Sequence, residues 1–146
     1  MENNDHMDVK KLTPEEVVKA NPKIYWGEET PTYDVIDNSI ISQLNESGCK
    51  NLSVDEFLGW HIISTDTDWV TSSGKSVSEL FGTAHWLPGG GGNGFRFEYF
   101  LNIIASHLCV FKQDYLHQIK GDIEESFPLE IDSQFRGKTI VAYKLD

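Results

Sequence analysis

Residues 89 to 106 read GGGGNGFRFEYFLNIIAS, a glycine run that opens directly into an apolar stretch at helical spacing. Four successive glycines do not sit in the interior of a helix, because each gives up more backbone freedom on ordering than any other residue. The run therefore reads as a turn, and the apolar stretch after it as the start of a helix. Two uses of such a turn stay open at this point. Bare amides and the positive end of a helix suit an anion such as phosphate; a plain surface loop before a core helix has the same composition.

The rest of the chain limits the choice. Its 146 residues suit one domain, which should bury roughly two thirds of the surface of the unfolded chain. Residues 1–12 read as a flexible tail and 13–146 as the domain itself, with no secretory signal at the start. Lysine and arginine number 12 against 23 aspartates and glutamates, a formal charge of −11. Such a surface disfavours nucleic acid and anionic membrane and suits a basic protein partner. Two widely spaced cysteines, Cys49 and Cys109, signal neither a disulfide framework nor a zinc site. They read as reduced core residues of a cytoplasmic protein. No apolar run is long enough for a membrane-spanning helix.

Helices come early and strands late. Thr13-Pro14-Glu15-Glu16 has the form of a capping box with proline at the first helical position, so a short helix should run to about Ala20, where Asn21-Pro22 ends it. After the loop IYWGEETPT, residues Val35, Ile36, Ile40, Ile41 and Leu44 fall at helical spacing up to Gly48. Asn51 to Asp55 and Trp60 to Thr65 read as strands joined by a turn at Leu58-Gly59. Residues 67–92 read as a long irregular lid, with one helical turn over Val77 to Phe81. A second long helix is expected from Phe95 to about His107, buried through Phe97, Phe100, Leu101 and Ile104. The segments LCVFKQD, YLHQIKG, SFPLEID and GKTIVAYKL then read as strands. In the last, Ile140 and Ala142 face away from Val141, Tyr143 and Leu145. The fold class is α+β, a two-layer sandwich of helices packed on one mostly antiparallel sheet.

The order of these features resembles the Bergerat-fold ATP-binding domain of gyrase B, Hsp90, histidine kinases and MutL. It looks most similar to gyrase B, through Asn21-Pro22-Lys23-Ile24-Tyr25-Trp26-Gly27 ahead of the first motif. The likeness runs over residues 21 to 146. It implies Mg-ATP as ligand. At the place of Asp34 the family has a glutamate that orients the attacking water, and the asparagine matching Asn38 holds Mg²⁺. The aspartate matching Asp66 takes the adenine amino group, and the threonine matching Thr139 supports it. Gly89, Gly90, Gly91, Gly92, Asn93 and Gly94 match the turn whose amides wrap the phosphates.

Two functions are open to a chain with this pattern. One is a stand-alone nucleotide-binding domain acting as an ATPase, a phosphotransferring protein kinase or a nucleotide-dependent regulator of a partner. The other is a catalytically idle binding protein of the immunity-protein or antitoxin kind that masks a basic partner. Asp34 is one methylene shorter than the family's glutamate, and Asp68-Trp69-Val70 stands where the family has glycines. Both departures, with the acidity, point toward the second.

Overall fold

The computed structural model describes residues 13–86 and 95–146. Residues 1–12, expected as a tail, and the glycine run itself lie outside the described residues.

The expected capping box forms at the first helix, α1 (Pro14–Ala20): Glu16 N donates to Thr13 Oγ1 and Thr13 N to Glu16 Oε1. A single helical turn, α2 (Lys23–Trp26), comes after Pro22 and ends at Gly27 in the left-handed region, within a stretch that the sequence reads as loop. The next helix, α3 (Tyr33–Glu46), starts where Thr32 accepts a hydrogen bond from Val35 N. Its Ile36, Ile40 and Leu44 are buried, each contributing about 1.5–3 kcal/mol by leaving water.

Two strands, β1 (Ser53–Phe57) and β2 (Trp60–Thr65), form a hairpin over Leu58 and Gly59. Both turn residues have positive φ, 54° and 83°, as a type I′ turn requires. The segment expected to be an irregular lid carries two short helices, α4 (Trp69–Ser72) and α5 (Val77–Gly82), up to Trp86. Trp69, Val70, Leu80 and Phe81 are core residues, so this part of the chain is packed on the sheet. Helix α6 (Phe97–Ile104) is shorter than expected, because Ser106 N bonds to Lys144 O and the chain turns into strand β3 (His107–Lys112).

Strand β4 (Tyr115–Lys120) pairs back on β3, and the last strand, β5 (Thr139–Lys144), inserts between β2 and β3. The sheet order is β1-β2-β5-β3-β4, antiparallel throughout. The segment SFPLEID, read from sequence as a strand, is instead helix α7 (Phe127–Gln134).

The class is α+β with helices packed on one antiparallel sheet. On one face Ile63, Leu108, Val110, Val141 and Tyr143 meet α3, α5 and α6. On the other, Ile140 and Ala142 join Trp60, Ile62, Cys109 and Phe111 under α7, which adds Phe127 and Ile131. Trp60 stacks on Phe127 with ring centres 4.7 Å apart. Among the described residues no helix is long and apolar enough to cross a membrane.

Candidate functional site

Helix α3 crosses the sheet with its N-terminus above the start of β2. One carboxylate of this helix, Asp37, points down. It is 7% exposed and sits in the stripe of Ile36 and Ile40. A buried carboxylate needs donors, and Asp37 has two. Tyr143 Oη donates to its Oδ1 at 2.6 Å, and His61 Nδ1 lies 3.0 Å from its Oδ2. Tyr33 lies flat on the His61 ring, centres 3.7 Å apart, and its hydroxyl accepts from Leu145 N. Burial first, and then the hydrogen bond to Asp37, push the Tyr143 hydroxyl well above its ordinary pKa. The phenol therefore stays a neutral donor and anchors the carboxylate rather than moving protons.

Asp34 and Asn38, expected to share one face of this helix, do so, and that face is the solvent side. Asp34 is close enough to Tyr143 to raise its pKa slightly further. Across the sheet, Glu56 on β1 pairs with His61 on β2, and residues directly opposite share a face. Glu56 and Asp34 are both exposed, so they form an acidic rim around the Tyr33–His61 stack, with Asp37 beneath it.

Asp66 comes directly after β2, five residues beyond His61, or about 16 Å further along an extended chain. It is not brought to the Asp34–Asn38 surface. Its carboxylate is held by Lys138 Nζ at 2.5 Å and by Asn51 Nδ2, and the Lys138 bond, then Asn51, keep its pKa below the usual carboxylate range. Thr139 is buried next to it, opposite Thr65 in the β2–β5 ladder. The Thr65 hydroxyl donates to Lys50 O at 2.6 Å.

Residues Gly89, Gly90, Gly91, Gly92, Asn93 and Gly94 lie outside the described residues, but both flanks are fixed. Trp86 and Phe95 form an antiparallel bridge and stack with ring centres 4.6 Å apart. Two amides at the entry to α6 are committed: the N-cap Arg96 N donates to His85 O, and Phe97 N to Gln43 Oε1 at 2.8 Å. Gln43 Nε2 also reaches Tyr25 Oη and Phe95 O. Glu98, fully buried in the first turn of α6, pairs with Arg96 through both carboxylate oxygens. A carboxylate already complements the positive end of this helix, so an anion there would meet Glu98 first.

The sequence reading missed Asp37 and its partners. A signal was present, since Asp37 is the one acid inside the apolar stripe that begins at Ile36. Among the described residues no group of three or more histidine, cysteine, aspartate or glutamate side chains is placed to hold a metal ion. No family model, curated protein or solved structure matches this chain.

Proposed function

We propose that this chain is an acidic binding protein of the immunity-protein or antitoxin kind, cytoplasmic, that masks a basic protein partner without chemistry of its own. The observation that carries the reading is where the charge lies. Arg96, Lys112, Arg136, Lys138 and Lys144 each stand in an ion pair with a carboxylate of the chain. The exposed Glu28, Glu29, Asp34, Asp55 and Glu56 stand in none of these pairs. The surplus negative charge is thus displayed at the surface; Asp114, Asp122 and Glu125 are also exposed and outside these pairs, and the acids around α3 and β1 are the part that would steer a cationic partner and set the association rate. The Asp37–His61–Tyr143 cluster fixes α3 on the sheet and so gives the rim a rigid base.

The test is co-purification from the native host at low salt, beside the charge-reversed variant Asp34→Lys, Glu56→Lys. A basic protein that leaves with rising salt, and that associates on the order of tenfold more slowly with the variant, is the expected result. A wild-type chain that emerges alone overturns the reading.

One observation favours the nucleotide reading instead, which rests on the likeness to the Bergerat fold: Asp66 closes an apolar strand beside Thr139, the order that fold uses for adenine. Under it, Mg-ATP bound through Asn38, Asp66 and the glycine turn raises the melting temperature in a magnesium-dependent way, and Asn38→Ala removes the rise. The binding-protein reading expects no shift.

A further inference from the structure

Among the described residues the sheet has two open edges, β1 and β4, and they are guarded differently. Strand β1 carries Asp55 and Glu56, charges that discourage pairing with a passing strand. Strand β4 is uncharged from Tyr115 to Ile119, and its one cation, Lys120, is turned back onto the end of α6, donating to Asn102 O at 2.8 Å. Tyr115 is 66% exposed. Apart from a bulge at Ile119, this edge lacks such protection, and an edge of this kind is a template for another strand.

Along it runs a groove of about 460 Å³, between β4 and the wall made by Val77, Ser78, Phe81 and Gly82 of α5. That volume lies in the range of ligand sites, roughly 300–1,000 Å³. None of the residues lining the groove is charged, in a chain whose residues are 24% charged. The backbone phase is also set. Gln113 and Asp114, with φ 52° and 60°, make a two-residue turn between the paired Lys112 and Tyr115. The flanking pair of such a hairpin is the hydrogen-bonded one, so alternation turns the N–H and C=O of Leu116 and Gln118 outward.

We propose that this groove takes an extended, uncharged peptide segment, which adds to β4 as a further strand and rests alternate side chains against the exposed Ser78 and Gly82 of α5. The absence of charge argues for an uncharged occupant, and the outward amides of β4 argue for a backbone rather than a compact small molecule. The site is separate from the acidic rim of α3 and β1 and stands whether or not a basic partner binds there.

The probe is a random twelve-residue peptide library displayed on phage and selected on the immobilised full chain. Enriched peptides are then measured by fluorescence anisotropy against wild type and Gly82→Leu. A Cβ at Gly82 meets nothing within 4 Å and needs no left-handed backbone, so the backbone accepts a side chain there, which then projects from the groove wall. The variant's melting curve checks that the fold is kept. The expected outcome is uncharged, β-forming peptides that lose about tenfold in affinity or more on Gly82→Leu and that slow amide exchange at Leu116 and Gln118. Enriched peptides that are basic, that bind the variant equally well, or that fail to appear overturn the proposal. So does a concentration-dependent dimer that Gly82→Leu dissolves, because then a second copy occupies the edge.

Discussion

Arg96 and Glu98 show how single residues decide the start of α6. Glu98 is fully buried, and its charge is tolerable because the guanidinium grips both carboxylate oxygens, at 3.2 and 2.9 Å. Removing one partner of such a pair costs more than the pair contributes, since the remaining charge stays buried. Arg96→Ala should therefore destabilise the domain by about 3 kcal/mol, the lower end for buried pairs because Arg96 keeps some contact with water. Arg96→Ala combined with Glu98→Gln should recover much of the loss. Urea unfolding of the two variants checks this: equal losses in both would mean that Arg96 matters through packing and not through the charge of Glu98.

At the scale of elements, the capping box of α1, the Leu58-Gly59 turn and the helical turn at Val77 were legible, and α2, α4 and α7 were not. The β1–β2 hairpin places Leu58, φ 54° and 51% exposed, at the first position of its type I′ turn. Leucine is strained in that region and asparagine is not. Leu58→Asn should stabilise the fold by about 0.5–1 kcal/mol, lifting the melting temperature by roughly 2–4 °C. A lower melting temperature would show that Leu58 packs against something its exposure hides. The same local chemistry made α1, α3 and this turn readable, since each announces itself within a few residues. Helix α7 shows why that was not enough. Phe127, Leu129 and Ile131 alternate with Pro128, Glu130 and Asp132 and imitate a strand, yet Phe127 and Ile131, four apart, are the buried pair, while Leu129 is 75% exposed. Pro128 was the discriminating residue, being welcome in a first helical turn and unwelcome within a sheet. The candidate site was half legible for a related reason. Asp34 and Asn38 share a face as spacing predicts, but which face meets the sheet is a tertiary fact, and it brought Asp37 inward instead. The partners of Asp37, His61 and Tyr143, lie on separate strands, and nothing local in the sequence joins them to α3.

For the whole molecule, charge and burial both weigh against the fold as pH rises. At neutral pH the −11 charge repels itself, which a compact fold tolerates because its carboxylates lie mostly at the surface. On the alkaline side the limit comes from the interior. Burial raises the Cys109 thiol to about 12, with a small further push from Glu124, and raises the hydroxyls of Tyr25 and Tyr143 well above their ordinary values. All three groups are neutral when protonated, and the folded state holds their protons longer than the unfolded chain does. Above the unfolded pKa of each group the native state therefore binds more protons than the unfolded state, and stability falls as pH rises. For Cys109 the window runs from about pH 9, where the unfolded thiol ionises, to about 12, where the buried one loses its proton too. Urea midpoints should thus be level from pH 7 to 8 and decline steadily above pH 9. Cys109→Val, which fills the same apolar site beside Ala142 and Phe111, should make the decline shallower between pH 9 and 10, before the tyrosines contribute. An unchanged slope in that interval would mean that the Cys109 thiol reaches water in the folded state and that the face under α7 opens more readily than its packing implies.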